Sequence, residues 1–422
     1  MQNEKSKYLT AKKVLEMTTL FLRKIFTYPK NYAKIEKSHL RRSLMNDFLN
    51  KYTLEIGPAE DTPFTKANGI RQDGTTPMYR DTDGKLWAMS GHSHLGHIAM
   101  FSGKSVDDLE QLYPINTNFC VGHADYAFDG IRYPDGTKAR GSIWPFGLYI
   151  CPGTHRFFCF FHNETGWNGK GTAYDAYGYC DVPRYDFDFR HIGLMHSDDE
   201  GKNWTFDRWV ITGERPAFTE GFKPTEAGIA VGQKMGKIQL GGGDFSLFVN
   251  PNDEYMYLIY NMANVDTDSG KWEECNAYIA RTRKRDDGIM GDFVKFYNGA
   301  FCEPGNFGKE TVIARDTWHP RIVYLEKYDT YLMSGTRFGL KDDGSFGSTL
   351  KTVLSTSSDL INWTEQIYAP EVDGKVFGNH YIAIRPTDTQ SHANTVPEDD
   401  FCFLTNHNAT DVKKFKTKIV KR

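Results

Sequence analysis

The chain contains no Cys-x-x-Cys pair. Its seven cysteines, Cys120, Cys151, Cys159, Cys180, Cys275, Cys302 and Cys402, are odd in number and scattered. That spacing points to neither a zinc cluster nor a disulfide framework, and implies reduced, mostly buried thiols. Long hydrophobic runs are missing too. The longest near the N-terminus, Met17 to Phe26, is interrupted by two Thr and then by Arg23 and Lys24, too short and too charged for a membrane span. Charge of one sign is also scarce: 51 Lys and Arg against 54 Asp and Glu give a formal net charge of -3. No global field exists to hold nucleic acid. Such a chain is expected to be cytoplasmic, or secreted if a leader has been removed.

What is abundant is glycine and aromatic residues. Thirty-nine Gly and a 14% aromatic share suit many short strands and tight turns. Residues 1–52 differ: they are basic, and Val14, Met17, Phe21 and Ile25 follow roughly helical spacing. A short helical extension, packed on the outside of the main body, is expected there.

From about residue 70 a unit recurs: a strand, a Gly/Asp turn, an aromatic strand, a polar loop, a third strand, and an acidic turn into a fourth. The second strands align as Lys85-Leu-Trp-Ala-Met-Ser, Arg156-Phe-Phe-Cys-Phe-Phe, Tyr255-Met-Tyr-Leu-Ile-Tyr, Thr330-Tyr-Leu-Met-Ser and Phe401-Cys-Phe-Leu-Thr. First strands precede them at 76–80, 144–150, 245–249, 321–325 and 381–384. Five repeats over 53–422 predict an all-β fold, a five-bladed β-propeller with a short α-helical N-terminal extension.

The turn before the fourth strand is the more specific signal. Ser197-Asp-Asp-Glu-Gly-Lys-Asn-Trp204 matches the Asp-box pattern S-x-D-x-G-x-x-W, in which the Asp caps the turn and the Trp packs beneath it. Ser357-Ser-Asp-Leu-Ile-Asn-Trp363 is a shortened version and Arg285 to Phe293 a degenerate one. Such boxes mark architecture, not chemistry. On these residues the chain resembles Asp-box glycoside-hydrolase propellers. Its five repeats with polar first-strand starts look like the arabinanase, xylosidase and invertase-type glycosidases. The stretches Gly241-Gly-Gly-Asp-Phe-Ser-Leu-Phe-Val and Asn298-Gly-Ala-Phe-Cys-Glu-Pro-Gly resemble bacterial propellers described as glycosidase-like.

In a propeller, chemistry gathers where first strands start and second-strand loops return. Glycoside cleavage needs two convergent acids. Asp244 is the first candidate, since three preceding glycines allow close backbone approach. Glu303, stiffened by Pro304, and Asp73 are the others. The resemblance implies a base at the place of Asp73 and an acid Glu where this chain has Asp244. Candidate substrate contacts are His92, His94, Trp144, Trp167, Trp318, His319, Arg321, Arg337, His380 and Tyr381, with Tyr174 and Tyr177 as further stacking rings. The stretch Gly91-His-Ser-His-Leu-Gly-His97 lacks a nearby acidic partner, so neither metal nor cofactor is expected. The expected partner is a carbohydrate substrate. The leading expectation is a glycoside hydrolase. Alternatives are a polysaccharide lyase drawing on His94, His319, His380, Tyr381, Arg321 and Arg337, or a non-catalytic sugar-binding propeller.

Overall fold

The structure is a computed structural model. It describes residues 48–66, 72–93, 97–117, 130–137, 139, 141–165, 189–214, 236–266, 268, 271–340, 346–378, 380–407 and 411–422. The chain divides into two compact units, Met1–Phe48 and Leu49–Arg422. The expected N-terminal helices lie outside the described residues.

The second unit is built almost entirely of antiparallel strands. The first sheet runs Met78–Arg80, Leu86–Ser90, Ala99–Gly103 and Glu110–Pro114 in sequence order. The second strand group is Ser142–Ile150, Phe157–Glu164, Arg190–Ser197 and Asn203–Thr212. The third is Lys237–Val249, Tyr255–Asp266, Lys271–Arg283, Val294–Tyr297 and Ala300–Pro304, joined to the second by parallel contacts of Gly241 with Arg190 and of Asn306 with Thr212. The fourth is Trp318–Leu325, Thr330–Leu340, Phe346–Ser357 and Ile367–Tyr368. The last sheet takes His380–Pro386, Asp400–His407 and Asp411–Lys421 from the C-terminal end, and Tyr52–Asp61 from the beginning as its outermost strand. This borrowed strand carries no periodic pattern that announces its distant partner.

Apolar layers fill the space between successive groups. Trp87 and Met100 of the first pack in one cluster with Phe157 and Phe160 of the second and with Phe245 and Leu258 of the third. Phe248 and Ile259 meet Ile322 and Met333 of the fourth. Met78 and Phe101 meet Ala383 and Leu404 of the last sheet, returning to the first. Both faces of these strands are therefore covered, which is why Phe157 to Asn163 is buried without alternation. Among the described residues, the first strands of these five groups contribute to one narrow cavity, through Met78 with Thr75 and Pro77 just before it, then Phe146, Ser246, Arg321 and Arg385.

Two turns share one construction. In the first, Ser197 Oγ accepts from Gly201 N at 2.9 Å, Asp199 Oδ1 accepts from Asn203 N at 2.9 Å, and Trp204 Nε1 donates to the Gly201 carbonyl at 2.7 Å. In the second, Ser357 Oγ accepts from Leu360 N at 3.0 Å, Asp359 Oδ1 from Asn362 N at 2.8 Å, and Trp363 Nε1 donates to the Leu360 carbonyl at 3.0 Å. Of the cysteines described, Cys151, Cys159, Cys275 and Cys402 are buried free thiols, and Cys302 is exposed. No helix among the described residues is long and apolar enough to cross a membrane.

Candidate active site

Four of the first strands depart from regular pairing near their starts. The register shifts between Pro145 and Gly147, Gly243 and Ser246, Trp318 and Arg321, and His380 and Ala383. A bulge re-aims the side chain it carries. In three of them the residue just inside is left-handed although it is not glycine: Asp244 (φ 44°), His319 (φ 51°) and Tyr381 (φ 52°). Such backbone is unfavourable for L-residues and persists only where the surroundings impose it. At His319 the surroundings are visible, because its N–H donates to Asn261 Oδ1 at 2.6 Å while Asn261 Nδ2 donates to the Thr317 carbonyl at 2.6 Å.

The three bulges bring their side chains together. The Tyr381 hydroxyl donates to Asp244 Oδ1 at 3.1 Å, and His319 Nε2 lies 3.8 Å from Asp244 Oδ2. The His319 ring stacks on Tyr381 at 4.2 Å, and His380 meets it edge-on at 4.5 Å. On the other side, Asp244 N donates to His162 Nδ1 at 3.3 Å, and His162 Nε2 is 3.1 Å from Glu164 Oε1. The His162 ring thus links the Asp244 backbone to the Glu164 carboxylate. Arg190 Nε reaches the same carboxylate oxygen at 3.1 Å. The glycines before Asp244 have a steric reason: a Cβ at Gly243 would collide with the His162 ring, and one at Gly241 with the Arg190 carbonyl.

Asp73 completes the group from just before the first sheet. Burial pushes its carboxyl up to about 7, and the charges of Glu164 and Asp244 add to the rise against an opposing pull from His162. Asp244 goes the other way. Burial would raise it, but His319, His162, Arg190 and Arg321 together hold it below the usual carboxylate range. Burial and then His380 keep His319 itself well below the ordinary histidine range. Burial lowers His380 to about 4. Burial and the nearby carboxylates raise the Tyr381 phenol, so it stays a donor.

Among the sequence candidates, Asp73, Asp244, His319, Arg321, His380 and Tyr381 thus assemble around one point. Trp144 is buried between His92, stacked on it at 5.7 Å, and His162 at 5.5 Å. Trp318 is buried against Ala263 and Cys275. Arg337 is engaged by Asp316, Nε to Oδ2 at 3.0 Å. The expectation for Glu303 is corrected. It sits on Ala300–Pro304, four strands outward from Asp244 in the same sheet, which at about 4.8 Å per strand is roughly 19 Å of lateral offset. Its carboxylate accepts from Lys309 N at 3.1 Å. The Pro304 that was expected to position an acid instead ends this outer strand. His94, Trp167, Tyr174 and Tyr177 lie outside the described residues. Sequence reasoning reached Glu164 only as one position of a second-strand loop and did not single out His162 or Arg190; the three stand at the end of the Phe-rich second strand and the start of the third. The signal available was His162-Asn-Glu164, an abrupt polar ending to an apolar run. Among the described residues no group of three His, Cys, Asp or Glu side chains is disposed to hold a metal ion.

No protein-family model and no curated protein matches the sequence. Solved structures that resemble the chain include glycoside hydrolases. A family 117 glycoside hydrolase from Zobellia galactanivorans is 10% identical over 89% of this chain and 91% of that one, with a TM-score of 0.45. An α-L-arabinofuranosidase from Lactobacillus brevis is 10% identical over 83% and 91%, with a TM-score of 0.44. A thermostable family-43 glycoside hydrolase is 9% identical over 86% and 92%, with a TM-score of 0.42.

Proposed function

We propose that the chain is a five-bladed β-propeller glycoside hydrolase, with its site where the bulged inner strands converge. The observation that carries this is the divergence of two neighbouring buried carboxyls, Asp73 raised to about 7 and Asp244 held low. Hydrolysis of a glycosidic bond requires one carboxylic acid to protonate the departing oxygen and one carboxylate to attack the sugar or activate water. Environments that push two such groups apart assign the roles. Asp73 is then the general acid and Asp244 the base or nucleophile, the reverse of what the family resemblance implied for those positions. Glu164, held by His162 and Arg190, keeps a negative charge that helps hold the Asp73 proton. The Tyr381 hydroxyl steadies one oxygen of Asp244 and leaves the other available.

A lyase would need a group able to remove the proton beside a uronate carboxylate. Burial keeps the Tyr381 phenol protonated, which disfavours it as that base. The test is a screen of the purified protein against aryl glycosides and plant, algal and microbial polysaccharides, reading both reducing ends and near-ultraviolet absorbance. The expected result is reducing-end release without an unsaturated product, lowered at least about a hundredfold in Asp244→Asn and in Asp73→Asn. An absorbing product would establish the lyase, and saccharide binding unchanged by both substitutions without turnover would establish a binding module.

A further inference from the structure

The narrow cavity shared by the five inner strands carries a chemistry that the carboxylate site does not use. Arg321 and Arg385 both line it, and both are buried. Arg321 spends Nη1 on the Pro320 carbonyl at 2.8 Å, while its Nε and Nη2 have no partner. Arg385 spends Nη1 on the Ile384 carbonyl and Nη2 on the Thr76 carbonyl, both at 3.0 Å, and its Nε has none. Thr75 Oγ1 and Ser246 Oγ line the same cavity, buried and likewise unpartnered. Three guanidinium nitrogens and two hydroxyls therefore share one small space. Among the described residues no carboxylate is ion-paired with either arginine.

Unpartnered buried donors are costly, and uncompensated buried charge more so. Charge around the cavity and the site does not balance from within. Arg190, Arg321 and Arg385 supply three positive charges. Asp244 and Glu164 supply two negative ones, burial holds His319 and His380 below the ordinary histidine range, and Asp73 keeps its proton below about pH 7. One positive charge is left over, and it lies on the Arg385 side, where no acid faces it. A guanidinium has no acceptor to offer a cation. The free space is on the scale of one water molecule, which excludes phosphate, sulfate or a sugar.

We propose that this cavity is a binding site for a single monatomic anion of halide size, held between Arg321 and Arg385 with Thr75 and Ser246 completing its shell. The bound ion ties the inner strands of the first, third, fourth and last sheets to one point. It also stands behind Arg321, the guanidinium that acts on Asp244 from the cavity side.

The experiment is thermal unfolding of the whole chain in chloride or bromide against gluconate at matched ionic strength, together with a crystal grown in bromide and measured at the bromine absorption edge. Halide is expected to raise the melting temperature by about 2–4 °C between 1 and 200 mM, and Arg385→Gln, which leaves the carboxylate site intact, is expected to lose that response. The bromide crystal is expected to show an anomalous peak between the two guanidiniums. Equal halide responses in wild type and Arg385→Gln would overturn the proposal. So would peaks confined to the surface, an adventitious ion only, or a cavity that holds water in bromide. If Arg385→Gln fails to fold, the wild-type response and the crystal decide alone.

Discussion

Two residues of like chemistry, Asp73 and Asp244, are pushed opposite ways, and each leaves its own signature in pH and stability. Asp73 binds its proton more tightly folded than unfolded, because its ordinary value is 3.8 and its folded value about 7. Between those values the native state holds the extra proton, so this group's stabilising share is present at low pH and is lost as pH rises towards and through 7. An acid catalyst is lost over the same upper range, so turnover is expected to fall above about pH 7. Asp73→Asn removes both effects: turnover collapses, while the melting temperature at pH 8 rises above that of the wild type. Calorimetry at pH 5.5 and 8 reads the sign, and a variant destabilised at pH 8 would contradict it. Asp244 behaves inversely. Its depressed value contributes stability above its ordinary 3.8 that disappears as pH falls below it. Asp244→Asn therefore loses activity and melts lower, since the nearby buried Arg321 then lacks the one carboxylate that acts on it. Asp244 was legible because three glycines in a row are an expensive way to build a strand unless something packs against the backbone, here the His162 ring. Glu303 misled because a proline beside an acid looks the same in a positioned loop and at the end of an outer strand.

At the level of elements, what depends on neighbours in sequence was readable and what depends on neighbours in space was not. The turn from Ser197 to Trp204 is closed by its own side chains, so eight consecutive residues suffice to recognise it. The bulges at Asp244, His319 and Tyr381 arise from pairing with strands that begin 11, 11 and 19 residues later, at Tyr255, Thr330 and Asp400, and no local motif encodes a register shift. The His162–Glu164–Arg190 link joins adjacent strands across a long connection, so the sequence offered only its isolated members. The local turn also makes a clean test. Ser197→Ala leaves the buried Gly201 N–H without its acceptor and releases Asp199, which is expected to cost about 1–3 kcal/mol. Denaturant unfolding should show that loss with turnover unchanged. A parallel loss of activity would mean the turn communicates with the carboxylates.

At the scale of the whole molecule, the last sheet is completed by a strand taken from the far end of the chain. Tyr52–Asp61 pairs antiparallel with Asp411–Lys421, Tyr52 opposite Lys421 and Asp61 opposite Lys413. Each second strand is aromatic and similar, so the recurring unit leaves a trace in the sequence. This long-range pairing could not be read there, because two segments at opposite ends of the chain leave no periodic trace. It does leave a charge pattern: Lys414 and Lys416 reach Glu60, Lys413 reaches Asp61, and Lys414 also reaches Asp107 beside the first sheet. Exposed pairs of this kind contribute little each. The buried Leu54 and the ladder of backbone bonds contribute more. A chain beginning at Thr62 is therefore expected to melt roughly 5–10 °C below one beginning at Phe48, with lower turnover because His380 and Tyr381 stand on the inner strand of the same sheet. The newly bared edge, Asp411–Lys421, carries a lysine at nearly every second position, and lysine-rich edges resist strand-to-strand association. The shortened chain should consequently remain monodisperse in size-exclusion chromatography while losing stability. Equal melting temperatures for the two chains would show that the first strand only decorates the last sheet, and would remove it from any account of how the sheets are held together.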